Sequence, residues 1–354
     1  MMRRSLIAWA FLSLSASPLS AQGLVSPIST DHAPYAGANA ACKPAPTPVL
    51  SLKSQPYYSD SSYSKVDPEA FKREQEAAKP LDDFLRVVQS AATDHRRGKP
   101  GAAACALKAL DDWAAVKALL GEFTQQGGFQ RKWTVGGAAL AYLGIRDAEG
   151  LDADMKARVA AWLGEVGRAV RPYYDKRPAA NRNNHDYWAA LSVAATGLAA
   201  NDRAMVEWGV ARLRLGLSDI AADGSLPREI ARKQMALHYQ LFSLPPLAAV
   251  ARIAEVNGMG LNEKEQAALD RLARFTFAAT QDQTEINRLA GIAQDDPMLR
   301  GRPALVQGVG IELWLLTKPG GAAAEREIDA ALQPFRPYRM SWLGGDVAAL
   351  WAAR

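Results

Sequence analysis

The chain has 354 residues, 49% of them hydrophobic, and carries 42 Lys and Arg against 37 Asp and Glu for a formal net charge of +5. A mild positive balance suits a polyanionic partner, while the absence of any Lys/Arg run excludes the usual nucleic-acid binders. After the first 22 residues every apolar stretch is interrupted by Arg, Lys, Glu or Asp, which excludes a later transmembrane span.

The chain opens with the layout of a secretory signal peptide. Met1-Met2-Arg3-Arg4 is a short basic start, Leu6 to Leu14 an apolar run, and Ser15 to Ala21 a small-residue stretch that places cleavage after Ala21. The run falls short of the ~20 residues that a spanning helix needs. The expected address is the periplasm, for a mature chain of about 330 residues. Loss of Arg3 and Arg4, with no acid in the segment, takes the charge from +5 to +3. In that oxidising compartment Cys42 and Cys105 are expected to bridge rather than to bind metal or act as a catalytic thiol. The bridge would staple the N-terminal segment to the first helices.

Residues 22–66 are rich in Pro, Ser, Ala and Tyr and read as an extended arm ending in a loop, with Tyr57, Tyr58 and Tyr63 among small polar residues. Such a loop is either surface filler or a mobile cover over a cleft. From Asp67-Pro68-Glu69 onward, where an N-cap residue precedes Pro at the first helical position, residues 67–354 read as one helical domain. Helices are expected over Ala102–Phe123, Arg131–Tyr142, Leu151–Val170 (broken by Pro172), Asp186–Ala199, Asp202–Ala221, Arg228–Phe242 and Pro246–Val256. Further ones follow at Asn262–Phe277, Ala304–Thr317, Ala322–Leu332 and Gly345–Ala353. Short Gly/Pro/Asn/Asp turns between them imply antiparallel hairpins. No period of about 20–50 residues repeats, which disfavours a solenoid. The fold class is all-α.

Two segments carry chemistry-bearing residues. Asn181-Arg182-Asn183-Asn184-His185-Asp186-Tyr187-Trp188 holds one of only four histidines. Its ordinary reading is a helix start, with Asn184 as N-cap, Asp186 on the helix dipole and both aromatics packed inward. In the second, Ser225 can cap a helix beginning at Leu226-Pro227, and Arg232 and Tyr239 lie seven residues apart, nearly two helical turns. Its ordinary reading is Arg232 paired with Glu229 and Tyr239 in the core. Together Asn184, His185, Arg232 and Tyr239 make neutral donors, a cation and a phenol, a set suited to taking a proton α to a carboxylate. Donors that neutralise the carboxylate stabilise the enolate-like state, and a phenol of pKa ~10 lowered by a neighbouring Arg can serve as base and then acid. Asp295-Asp296 reads as a solvated loop rather than a cation site.

Asn183-Asn184-His185-Asp186-Tyr187-Trp188 resembles the Asn-Asn-His-x-Tyr-Trp motif of the alginate lyases of polysaccharide lyase family five. Leu226-Pro227-x-Glu229-x-x-Arg232-x-Gln234-x-Ala236-Leu237-x-Tyr239, followed by Leu244-Pro245-Pro246-Leu247, resembles the second motif of that family. Arg131-Lys132-Trp133 and Leu343-Gly344-Gly345-Asp346 match more weakly. The resemblance implies an incomplete (α/α) toroid with a central cleft, and β-elimination on poly-β-D-mannuronate or a related polyuronate. It also implies that neither cofactor nor metal is needed. By position, Asn184, His185 and Arg232 correspond to carboxylate-neutralising residues and Tyr239 to the acid/base, with His185 the base when the C5 proton lies on the opposite face. Lys53, a lid of Tyr57, Tyr58 and Tyr63, and Trp133, Tyr187, Trp188 and His238 become candidate substrate contacts. His238, Phe242 and Trp342 depart from the pattern and leave polyglucuronate or hyaluronan open as substrates, as is a non-catalytic polysaccharide binder. A monomer is expected.

Overall fold

A computed structural model of the protein describes residues 23–30, 32–318 and 321–351. The expected signal peptide, residues 1–21, lies outside them. The described residues between 23 and 66 form no helix. They run over the surface, pairing at isolated positions such as Leu52 with Phe123 and Tyr58 with Val66. Cys42 and Cys105 are disulfide-bonded, tying this segment to the second helix.

Four helices follow: α1 (Pro68–Arg96), α2 (Ala102–Ala115), α3 (Gln125–Leu143) and α4 (Ala153–Asp175). Next come α5 (Asn184–Ala200), α6 (Arg203–Ser218), the single turn α7 (Pro227–Ile230), α8 (Ala236–Val256) and α9 (Glu263–Gln281). The chain closes with α10 (Thr284–Ala290), α11 (Val309–Leu316), α12 (Ala323–Leu332) and α13 (Val347–Trp351), the last preceded by a two-residue hairpin of β1 (Arg339–Met340) and β2 (Gly345–Asp346).

Burial sorts the helices into two rows. α3, α5 and α8 bury residues around most of their circumference, polar ones such as Gln130, Lys132, Asn184 and Gln240 included. α4, α6 and α9 instead bury one stripe and show charged residues on the other face. A helix apolar all round belongs inside, and an amphipathic one outside. The inner row runs α3, α5, α8, α11 and the outer row α4, α6, α9, with α1 and α2 packing on each other and on the α3 and α4 end of the two rows. Residues 341–343 touch α1, α3 and α8. This is an α/α toroid. Gly216 lets α6 lie flush on the inner row, since a Cβ there would meet the Tyr187 ring at 2.8 Å.

Several boundaries differ from expectation for identifiable reasons. α2 stops at Ala115, because Lys117 and Leu119 take positive φ (53° and 67°) and end the helical path before Phe123. α3 begins six residues early, with the Thr124 hydroxyl accepting from the Gly127 amide. Pro172 lies inside α4 rather than ending it, costing one backbone bond near the last turn. The expected break at Pro245-Pro246 moves upstream: α8 runs through both prolines, and the chain instead breaks at 231–235, where Lys233 has φ 54°.

Reduction of the Cys42–Cys105 bridge is expected to destabilise the fold. Its ends are 63 positions apart, a loop whose closure constrains the unfolded chain by about 4 kcal/mol. Urea unfolding of oxidised and reduced protein would check this, with unchanged lyase activity below the transition.

Candidate active site

Asn183, not Asn184, caps α5: its side chain accepts from the His185 amide, and Asp186 returns a bond to the Asn183 amide in a capping box. This shift by one turns the Asn184 side chain inward. Asn184 is fully buried, with its backbone amide donating to Glu229 at 2.7 Å and its Nδ2 donating to both Glu229 oxygens at 3.1 and 3.2 Å. Glu229, also fully buried, faces the Arg232 Nε at 3.5 Å. Burial raises the Glu229 carboxyl, and Arg232 and the Asn184 donors lower it in part. Glu229 thus ties the amide of the first segment to the cation of the second.

Arg232 lies against Tyr239, its Cζ 4.8 Å from the ring centroid, although not by the helical register that the spacing of seven suggests. Arg232 precedes a 3₁₀ turn at Lys233–Met235, and Tyr239 sits in the first turn of α8. Ser225 does not cap α7: Leu226 holds that position, without a side-chain bond.

The loop over this group is closed. Tyr58 Oη lies 2.5 Å from Tyr239 Oη, and the Arg232 Cζ lies 5.0 Å from the Tyr63 ring. Asp60 accepts from the amides of Ser64 and Lys65 and shapes the loop. Arg232 donates to Ser62 O and Gln234 to Ser64 O, pinning it. Tyr57 packs on Tyr58 and Phe71. The expected lowering of the Tyr239 phenol is not found. Burial and Tyr57 raise it above the ordinary value, and the Tyr58 hydrogen bond and Arg232 offset only part.

His185 is half-buried and stacks on Phe129, with centroids 3.7 Å apart. Lys132 Nζ stands 3.1 Å from its Nδ1. Burial, then Lys132, Arg177 and Arg232, hold the imidazole well below its usual range, so it is neutral. Beside it a cleft of about 700 Å³ is lined by Tyr63, Arg232, Arg228, Arg177, Lys176 and Asn183 among others. Four cations on one cleft are suited to a polyanion.

The remaining candidates separate. Trp133 stacks on Trp342 at 4.6 Å near His185. His238 abuts Tyr239 and contacts Asp296 at 3.0 Å, so Asp296 is a buried partner rather than a solvated acid. Asp295 pairs with Arg300. Tyr187 is buried, with its hydroxyl on Asp219, and Trp188 is buried, with its indole N–H on Phe242 O, so both are packing residues without a face for a ligand. Lys53 is exposed and faces Glu122 at 3.6 Å, outside the cleft lining. Phe129 was not singled out from the sequence, and Glu229, Lys132 and Trp342 were noted there as an ion-pair partner, within a weaker match and as a departure, without a role in the site. An inward-facing lysine and glutamate in otherwise apolar helical patterns were the available signal.

The alginate lyase family matches over residues 51–286. A polysaccharide lyase of Stenotrophomonas maltophilia is 35% identical over 320 residues, covering 89% of this chain and 92% of that protein. The chain belongs to the alginate lyase family. An alginate lyase of Cobetia marina is 30% identical, covering 98% of this chain and 93% of the relative. The crystal structure of alginate lyase A1-III from Sphingomonas species A1 superposes with a TM-score of 0.71 at 24% identity, over 88% of this chain and 86% of that one, and shares the fold. As an alginate lyase family member this chain is a polysaccharide lyase. Among the described residues no helix is long and apolar enough to cross a membrane.

Proposed function

We propose that the enzyme cleaves alginate at its β-D-mannuronate residues, in the periplasm, by β-elimination. The observation that carries this reading is the continuous contact from Asn184 through Glu229 and Arg232 to Tyr239. It links an amide, a cation and a phenol in one run of contacts, with His185 next to Asn184 in the chain. His185 and Arg232 neutralise the uronate carboxylate, so that charge developing at C5 spreads onto it, while the buried Asn184 acts through Glu229, which it holds against Arg232. The Tyr239 oxygen takes the C5 proton. The electron pair forms the C4–C5 double bond as the C4–O4 bond breaks, and O4 receives a proton from Tyr239. Tyr58 yields its bond to Tyr239 when the loop opens for the polymer.

Mannuronate and glucuronate share their configuration at C4 and C5, so one base-and-acid residue on one face serves either. Guluronate presents the C5 proton oppositely. The test is ultraviolet absorbance of the conjugated product on poly-mannuronate, poly-guluronate, polyglucuronate and hyaluronan. The fastest rise is expected on poly-mannuronate, and a flat trace there from folded protein would overturn the reading. A fastest rise on polyglucuronate would keep the mechanism and change the sugar.

The raised Tyr239 phenol fixes the pH dependence. The base form is the phenolate, and a raised pKa leaves less of it at neutrality, so kcat on poly-mannuronate is expected to climb from about pH 6 to 9. A rate flat over that range would remove Tyr239 as the base.

A further inference from the structure

Lys132 is fully buried on α3 and faces the site. A lysine in such a place ordinarily has a carboxylate partner, yet among the described residues Lys132 makes no ion pair. The nearby Asp186 carboxylate is taken by Arg177 and Arg212. The Lys132 ammonium instead lies 4.3 Å from the ring centroid of Phe129, 4.2 Å from that of Trp133 and 5.9 Å from that of Tyr174. Aromatic faces accept N–H groups and favour the cation. Among the described residues the one conventional acceptor in reach is His185 Nδ1, at 3.1 Å. Burial disfavours the charge on Lys132, and a lysine kept there at that cost has a use for its protons.

We propose that Lys132 is a positioning residue that donates to His185 Nδ1 and fixes the imidazole as the Nε2–H tautomer. A neutral imidazole has one ring proton, and the bond made by one nitrogen decides where it sits. With Nδ1 accepting from Lys132, the proton is on Nε2, which has no protein partner among the described residues. His185 then offers a donor to the substrate carboxylate and has no lone pair free to take a C5 proton. This rests on the β-elimination reading and sharpens it: Tyr239 is the only base, and polymers that present C5–H on the opposite face are excluded.

The test is nitrogen-15 NMR of histidine-labelled mature protein, with His185 assigned by its loss in His185→Gln. In the wild type, Nδ1 is expected to resonate as a bare nitrogen and Nε2 as N–H. Lys132→Met, nearly isosteric, should shift His185 toward a mixture of tautomers. It should also lower kcat by about 10–100-fold, the usual cost of losing a partner that orients a histidine, at nearly constant KM. Lys132→Gln, which keeps an N–H donor, should recover part of both. Since Lys132→Met removes a buried amine, its melting temperature is expected at or above wild type, which a merely structural lysine would not give. A wild-type His185 protonated on Nδ1, or the same tautomer in Lys132→Met, overturns the proposal whatever the activity. An enzyme inert on all uronates with the expected tautomer would instead overturn the elimination reading alone.

Discussion

Tyr239→Phe is expected to lower turnover of poly-mannuronate by at least ~10³-fold, within the range that a single proton-transfer group supplies, while polymer binding stays within about twofold. The substitution removes one oxygen, whose side-chain partner is Tyr58 Oη. The ring keeps its contacts with Arg232, His238 and Phe242, so the fold should lose no more than ~1 kcal/mol. Initial rates from product absorbance, paired with a direct binding measurement, separate the two quantities. A variant retaining near-native rate would take Tyr239 out of the mechanism, and one that no longer binds would assign the hydroxyl to substrate recognition.

Glu229→Ala should be costly in both stability and activity. Three hydrogen bonds from Asn184 and the charge opposite Arg232 end on this one buried carboxylate. Its removal leaves a buried amide without its acceptor and a cation without its partner, a loss of about 3–5 kcal/mol for a broken buried pair. Glu229→Gln keeps an acceptor for Asn184 and turns an amide N–H toward Arg232. It should therefore fold nearly normally while kcat falls, because Arg232 loses its orientation. Urea unfolding and rates on the two variants check this: equal stability losses would reduce Glu229 to packing, and full activity in Glu229→Gln would dissociate it from the site.

The helical class and the disulfide were legible because they rest on local periodicity, capping and cysteine count. What eluded the sequence depends on geometry at a distance. The cap of α5 lay one residue from its expected place, since Asn183 and Asn184 are equivalent as caps in isolation and only the Glu229 carboxylate distinguishes them. The spacing of seven between Arg232 and Tyr239 suggested one face of one helix, whereas a left-handed Lys233 breaks the path and the two meet across the break. The phenol was expected to titrate low beside an arginine, but the burial that the core reading of Tyr239 already implied outweighs the cation. Tyr187 and Trp188 share a motif with His185 and were open to two readings, packed inward or facing substrate; their burial favours the first.

The two ends of the described chain are stitched together. Leu24 and Val25 donate to Asn201 and Asn257, Ile28 is fully buried, and the Ser29 amide donates to Leu350 O. A polypeptide that appears N-terminus first therefore waits, with an apolar leading segment uncovered, until its last helix has arrived to receive it. Completion of this ring is a late, whole-length event. Shortening either end should loosen the opposite one, so a tag or fusion is better joined through a spacer than set directly against either seam.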